Sequence, residues 1–361
     1  MIHYIVGRNL GHLNKCTANL TQFSKLSDEP VTIYSFRNTH KWLQTNFPQG
    51  NIQRYLNPRK SADILLNANL VMHDWRDEIQ WLKKARSGSG PIIGGIYHSD
   101  LATSSRDTDW TRKFKSQTQG IAQKSTDIFF HINLMQPQVI PNLSTLYVPI
   151  PVIAREITMT PEKIKQSLGL PADEPFILVQ MGGGVGKYRY RYMEEWYEKI
   201  NQLKTPYRIV VANQLKGIDF TFNRSIIQAP LFDNGRNLMN AADLVISKPG
   251  MGVLMDAIST GTPLLALPAD TKEREVKNMM LRDLVGHDFC LADNKLTSED
   301  LDARIEEMIK YKESIKAAFG TVPITGADVV AQGMKMLSAR SLNELPEVYE
   351  EILKMTPFRI D

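Results

Sequence analysis

Two cysteines, Cys16 and Cys290, are all that this chain of 361 residues contains, which leaves no material for a disulfide framework or a cysteine-based zinc site. Long hydrophobic runs are missing too, so no segment reads as a membrane span. The opening MIHYIVGRNLGHLNK lacks the long apolar core and small-residue cleavage site of a secretory leader. Charge of one sign is scarce: 43 Lys and Arg against 39 Asp and Glu give +4, too little at this length to imply a nucleic-acid partner. There is no short repeat, no low-complexity tract, no metal-ligand spacing and no Asp-x-Asp metal pair in either glycine-rich loop, 182–186 or 247–252. These absences point to a reducing, cytoplasmic setting and leave peripheral contact with a membrane open.

What is present is an ordinary globular balance, 42% apolar and 23% charged, in a chain long enough for two domains. Strand-like and helix-like patterns alternate. Strands are expected at Met1 to Val6, Val31 to Phe36, Leu70 to Asp74, Pro91 to Tyr97, Ile128 to Ile132 and Tyr147 to Val152. A second set runs Phe176 to Gln180, Arg208 to Ala212, Ser225 to Gln228, Leu244 to Ile246, Pro263 to Leu267 and Phe289 to Leu291. Such alternation predicts an α/β protein with doubly wound parallel sheets. The two prolines of Val148-Pro149-Ile150-Pro151-Val152 mark a linker. The expected domains are therefore 1–150, 151–340 and a terminal helix over 341–361. Helices are expected over Asn14 to Leu26, within the polar segment Ser99 to Ser125, after Thr160-Pro161-Glu162, and from about Gly252 to Thr260, stopping at Gly261.

Residues Ala229 to Asp283 organise the rest. The short apolar run Leu244-Val245-Ile246 ends in Ser247-Lys248-Pro249-Gly250-Met251-Gly252, a buried parallel strand feeding a ligand-facing loop, and a second run ends at Pro268. Ligands of open α/β sheets bind beyond the carboxyl ends of strands, so Ser247 to Gly252 and Pro268 to Asn278 should line one crevice. A second Gly-rich stretch, Gln180-Met181-Gly182-Gly183-Gly184-Val185-Gly186-Lys187, fails the P-loop pattern at Met181 and Tyr188 and fails G-x-G-x-x-G at Lys187. What remains is a strand-to-helix junction that lets backbone N–H groups approach a diphosphate, or a tight turn. The basic and aromatic run Lys187 to Tyr192 is at once followed by acidic residues. Tyr188, Tyr192 and Trp196 fall on one helical face, which favours a packed helix over a nucleic-acid surface.

The spaced set Ala242-Asp243, Ser247-Lys248-Pro249-Gly250, Asp256, Gly261-x-Pro263, Pro268 and Asn278 resembles the donor-binding half of GT-B glycosyltransferases. In particular it is similar to the family of the lipid II-forming N-acetylglucosaminyltransferase and the diacylglycerol glycosyltransferases. The resemblance implies a GT-B fold of two facing Rossmann-like domains with parallel sheets, the first for the acceptor and the second for a nucleotide sugar. It implies that Asp256, where the family mostly has Glu, holds the ribose hydroxyls. Ser247, Gly250, Met251 and Gly252, with Gly183, Gly184 and Lys187, would meet the diphosphate. The backbone at Phe232 would read the base, and Glu275 and Asn278 the sugar. Glu275 stands where the family often has Gln, which favours a neutral or amino sugar over a uronic acid.

His12, after Gly11 in the loop beyond the first strand, is the expected general base, since an imidazole titrates near working pH and the resembled family has a Gly-His there. Asp74 and Asp100, just past strand ends, are candidates for its orienting acid. The expected function is thus an inverting, metal-independent glycosyltransferase. It uses a UDP-sugar as donor, has no tightly bound cofactor, and glycosylates a hydroxyl of a small metabolite or a lipid. A nucleotide-sugar epimerase or hydrolase of the same fold, and a non-catalytic nucleotide-sugar binder, are the rival readings.

Overall fold

The computed structural model describes the chain except for residues 9, 89, 99, 102–104, 138–140, 183–188, 215–216, 292 and 361, with backbone alone at 37 and 38. It divides into two compact units, Met1–Ala154 with Pro323–Asp361, and Arg155–Val322.

The first unit is built on seven parallel strands: β1 (Ile2–Ile5), β2 (Val31–Ser35), β3 (Asn51–Arg54), β4 (Leu70–His73), β5 (Ile92–His98), β6 (Ile128–Ile132) and β7 (Leu146–Ile150). Their order is β3-β2-β1-β4-β5-β6-β7. The inner strands β1, β4, β5 and β6 are buried along their whole length, because helices cover both faces of a parallel sheet. Edge strand β3, sequence NIQR, is mostly exposed and escapes detection in the sequence for that reason. Edge strand β7 tolerates Pro149, which has no N–H to give to a further strand. The residues expected to be linker therefore belong largely to this strand.

The second unit has β8 (Phe176–Gln180), β9 (Arg208–Val211), β10 (Ile227–Gln228), β11 (Leu244–Ser247) and β12 (Leu264–Ala266) in the order β10-β9-β8-β11-β12, all pairs parallel. The expected strand at Phe289 to Leu291 is reduced to a single bridge from Cys290 to Ala266. The α/β class and the two parallel sheets match the expectation. In each unit the strand order reverses direction once, between β1 and β4 and between β8 and β11, and those reversals are where open α/β sheets bind ligands.

Three helices differ from the expectation. The first spans Leu10–Phe23, so Gly11 and His12 lie in its opening turn rather than in a loop before it. Helix Met193–Ile200 starts after Tyr192, and Tyr188 lies outside the described residues. Within it Trp196 and Tyr197 are buried, and Trp196 Nε1 donates to Asn294 Oδ1 at 2.9 Å. Helix Gly326–Ser338 was not expected as a helix; its residues fall in the range 151–340 assigned to the second domain, but it belongs to the first unit. A Cβ at its Gly333 would lie 2.9 Å from the Phe130 ring of β6, so the small residue lets helix and sheet approach closely. The chain leaves and re-enters the first unit side by side. Val152 N–H donates to Pro323 O at 3.2 Å, Gly326 N–H donates to Val152 O at 3.1 Å, and Ile153 bridges Thr325 antiparallel. Helix Asp109–Ser125 falls inside the polar segment where one was expected. No helix among the described residues is long and apolar enough to cross a membrane.

Candidate functional site

The reversal point of the second sheet brings together the ends of β8, β11 and β12. Ser247 is fully buried, and its Oγ lies within hydrogen-bond reach of Gln180 O and, at 3.0 Å, of Lys248 O. Its hydroxyl thus ties the ends of β8 and β11 together. Gly250 is the extended N-cap of helix Met251–Thr260 and offers no side-chain cap, which leaves the first N–H groups of that helix to the loop in front of them. Met251 is buried and Gly252 half-buried at its start.

Lys248 is the cation of this loop. Gly182, at the end of β8, has φ +75, and a Cβ there would lie 2.6 Å from Lys248 Cε, so glycine is required both for the turn and for the lysine packed over it. Lys248 has no ion-pair partner among the described residues. Burial, with Arg274 and Lys277 nearby, pulls its ammonium down to about 7. Those two cations sit on helix Lys272–Val285, whose first turn is capped by Thr271. Each has its own carboxylate, Asp270 for Arg274 and Glu273 for Lys277. Tyr190 braces the cluster: its hydroxyl donates to Pro268 O at 2.8 Å, and the Arg274 guanidinium lies 5.6 Å from its ring centroid. Among the described residues of this cluster, Lys248 is the cation with no carboxylate of its own, which suits the arrangement to a phosphate or diphosphate.

Deeper in the same helix, Asp256 is 7% exposed, so it is not a solvated surface acid. Burial pushes its carboxyl up to about 7, against the pull of Arg155 and Arg236. Phe232 is half-buried in the loop before helix Gly235–Ala241, and that loop is pinned by Arg155 NH1 donating to Asp233 O at 2.7 Å and by Asn234 Nδ2 donating to Glu156 O at 2.7 Å. Glu275 is half-buried. Asn278 is buried, with Nδ2 directed to Leu267 O at 3.4 Å and Oδ1 without a hydrogen-bond partner among the described residues. Gly183, Gly184 and Lys187 lie outside the described residues. Lys248, Arg155 and Arg236 were not singled out from the sequence. Lys248 sits in a motif that was read for its glycines, and the two arginines come from other segments of the chain.

The reversal point of the first sheet holds His12, half-buried, with its ring against Gly7 just past β1; a Cβ on Gly7 would be 2.4 Å from His12 Cγ. Asp74, just past β4, is fully buried, accepts from Tyr4 OH at 3.2 Å and lies 3.9 Å from Lys15 Nζ. Its carboxyl is raised to about 6 by burial, opposed by Lys15, Tyr4, the Gly7 N–H and Arg76. The next residue, Trp75, holds φ +55, rare for a large side chain, with its indole stacked on Tyr97 at 4.1 Å. Asp100, partly exposed, pairs with buried Lys115 at 2.7 Å, which also meets Asp107 at 2.9 Å.

Residues 200–321 match the glycosyltransferase family 28 C-terminal domain. Curated relatives named UDP-N-acetylglucosamine–N-acetylmuramyl-(pentapeptide) pyrophosphoryl-undecaprenol N-acetylglucosamine transferase are similar in sequence. The Prochlorococcus marinus subsp. pastoris protein is 26% identical over 193 residues, 51% of this chain and 51% of its own. That of Crocosphaera subtropica is 24% identical over 198 residues, 50% and 51% of the two chains. The chain thus spans about half the length of the curated relatives it matches. Among solved structures, a kitacinnamycin glycotransferase aligns with TM-score 0.61 at 11% identity over 93% of this chain and 98% of its own. An Arabidopsis thaliana protein complexed with quercetin aligns with TM-score 0.61 at 12% identity, covering 98% and 99%. Residues 200–321 thus match a glycosyltransferase family 28 C-terminal domain, in a chain whose two parallel-sheet units have the fold of GT-B glycosyltransferases.

Proposed function

We propose that this chain is an inverting, metal-independent glycosyltransferase that moves a sugar from a UDP-sugar to an acceptor hydroxyl, on a lipid or on a small metabolite. The observation that carries the reading is the unmatched Lys248 ammonium beside the uncapped start of helix Met251–Thr260, at the reversal point of the second sheet and inside the matched domain. The relatives' names include UDP-N-acetylglucosamine, which favours uridine in the donor.

In the proposed reaction the acceptor oxygen attacks the anomeric carbon as His12 takes its proton. The bond from that carbon to the diphosphate oxygen breaks, its electron pair leaves with UDP, and the anomeric configuration inverts. Lys248 and the N–H groups at Met251 and Gly252 meet the charge that grows on the diphosphate. Gly183, Gly184 and Lys187, outside the described residues, are the further diphosphate contacts of this proposal, and Gly250 keeps the approach open. The backbone at Phe232 faces the base, Asp256 accepts from the ribose hydroxyls, and Glu275 and Asn278 face the sugar. Asp100 is the proposed acid behind His12; its own charge is held by Lys115.

Thermal shift with UDP and UDP-sugars tests the donor site, since a ligand of the folded state raises the midpoint. Wild type should shift, Asp256→Ala should lose most of the shift, and His12→Ala should keep it while turnover falls by about 10²–10⁴-fold. Incubation without acceptor separates the rivals. Free UDP with free sugar means hydrolysis, and an altered sugar still joined to the nucleotide means epimerisation. If no nucleotide moves the midpoint at saturation, the proposal fails.

A further inference from the structure

Trp75 stands directly after Asp74, whose N–H donates to Ile5 O at 3.1 Å and so ties the end of β4 to the end of β1. That is the reversal point of the first sheet, the place where an open α/β sheet takes its ligand. The φ of +55 at Trp75 is a conformation that a bulky residue keeps only when its surroundings impose it, and residues held in this way gather at binding sites. What imposes it here is a column of rings. The indole lies on Tyr97 with centroids 4.1 Å and planes 14° apart, and Tyr97 lies on His98 at 4.6 Å and 21°. Phe129 meets the indole at 5.4 Å, tilted. No other ring and no cation lies against the indole among the described residues, and the side chain is only half-buried.

The surroundings of this column are apolar. Tyr97 belongs to a buried cluster that includes Leu101 and Phe129, and Trp75 and Ile360 pack on it, both partly buried. Ile360 is brought there by a clasp on the residue before it: Gln136 Nε2 donates to Arg359 O at 2.6 Å, and Arg359 N–H donates back to Gln136 Oε1 at 2.9 Å. The polar groups of the same region are engaged with one another. His131 Nδ1 lies 2.7 Å from Tyr147 OH, Asn133 Nδ2 donates to His131 O at 2.7 Å, and Asp100 is paired with Lys115. We infer that the acceptor carries a flat aromatic ring, which stacks on Trp75 as the next member of the column. The inference rests on the proposed acceptor role of the first unit and adds the chemical class of the acceptor. A flat ring needs only an apolar face and offset stacking. A sugar ring in the same place would need partners for its hydroxyls, and the polar groups just named are already committed.

The probes are β-naphthol, a flat molecule with one hydroxyl; its fully hydrogenated analogue, which keeps the carbon skeleton and the hydroxyl but is not flat; and methyl β-glucopyranoside. Each is titrated by calorimetry, with UDP at saturation, into wild type, Trp75→Phe and Trp75→Leu. Wild type should bind β-naphthol about tenfold more tightly than the hydrogenated analogue, the upper end of what an aromatic pair adds beyond burial, and should bind the glucoside least. Trp75→Phe should keep the preference to within about threefold. Trp75→Leu, apolar but not flat, should bind the two naphthalene skeletons alike. All three proteins should show the same midpoint shift with UDP. A wild-type preference that survives in Trp75→Leu overturns the inference, because a tryptophan that only fills space would leave the ratio of the two affinities unchanged. A wild type that binds the two skeletons equally, binds neither, or prefers the glucoside overturns it too, and in those cases a UDP shift leaves the donor site standing. A wild type without that shift overturns the proposed function and this inference with it. Should Trp75→Leu fail to fold, Trp75→Gly, which removes the ring and suits the positive φ, is read in the same way.

Discussion

An ammonium packed over Gly182 with Arg274 and Lys277 beside it gives up its proton far more readily than a lysine in water. Lys248 should therefore be present as a mixture of ammonium and free amine near pH 7, where other lysines are almost wholly charged. Acetylation followed by mass spectrometry should find Lys248 modified far faster than other lysines, with a rate that rises through about pH 7 and falls when UDP is bound. Uniform labelling of the lysines would contradict this. The sign for stability follows from the same depression. Lys248's contribution is complete above the ordinary lysine range and is lost as pH falls through about 7, where the buried amine must charge without a partner. A bound diphosphate supplies that partner, so ligand stabilisation should grow toward acid pH at this residue. Asp256 behaves oppositely, with a raised carboxyl that favours the fold below the ordinary carboxylate range and disfavours it as pH rises through about 7.

At the scale of elements, two glycines separate backbone strain from steric exclusion. Gly286 ends helix Lys272–Val285 with φ +71 and open space where a Cβ would be, so Gly286→Ala should cost about 1 kcal/mol through strain alone, seen as a midpoint drop of about 2–4 °C. Gly326 has ordinary φ, but a Cβ there would lie 2.2 Å from Pro151 O. Gly326→Ala should therefore cost on the order of 3 kcal/mol, and equal midpoints for the two variants would refute the distinction. The elements legible in the sequence were those with burial on both faces, such as Ile2–Ile5 and Ile128–Ile132, because near-continuous apolar runs announce themselves. Asn51–Arg54 went unseen because an exposed edge strand has no such run. Gly326–Ser338 reads as amphipathic, but nothing in that pattern says which sheet it covers. The loop Ser247 to Gly252 was legible as a strand end followed by glycines, while Asp256 was singled out only through the family resemblance. The burial of Asp256, the proton affinity of Lys248 and the approach of Arg236 depend on tertiary neighbours and so had no local signal.

The whole molecule contains one continuous unit and one interrupted unit: Arg155–Val322 is a single stretch, while the first unit needs residues from both ends of the sequence. A fragment over 155–322 should therefore unfold cooperatively by circular dichroism and keep its nucleotide-dependent shift. A fragment over 1–154 should not, because it lacks helices Gly326–Ser338 and Leu345–Leu353, whose Val330, Met334 and Ile352 are buried. Cooperative melting of the 1–154 fragment would refute the dependence. The paired exit and re-entry at Val152, Ile153 and Thr325 gives this arrangement a temporal side. On the ribosome the amino-terminal sheet emerges first yet must wait, its helix-facing apolar surface uncovered, while the inserted unit is made and closes. Only when Pro323–Asp361 has been translated can the earliest strands be sealed. The nascent chain should therefore depend on chaperone cover longest in the part that was synthesised first.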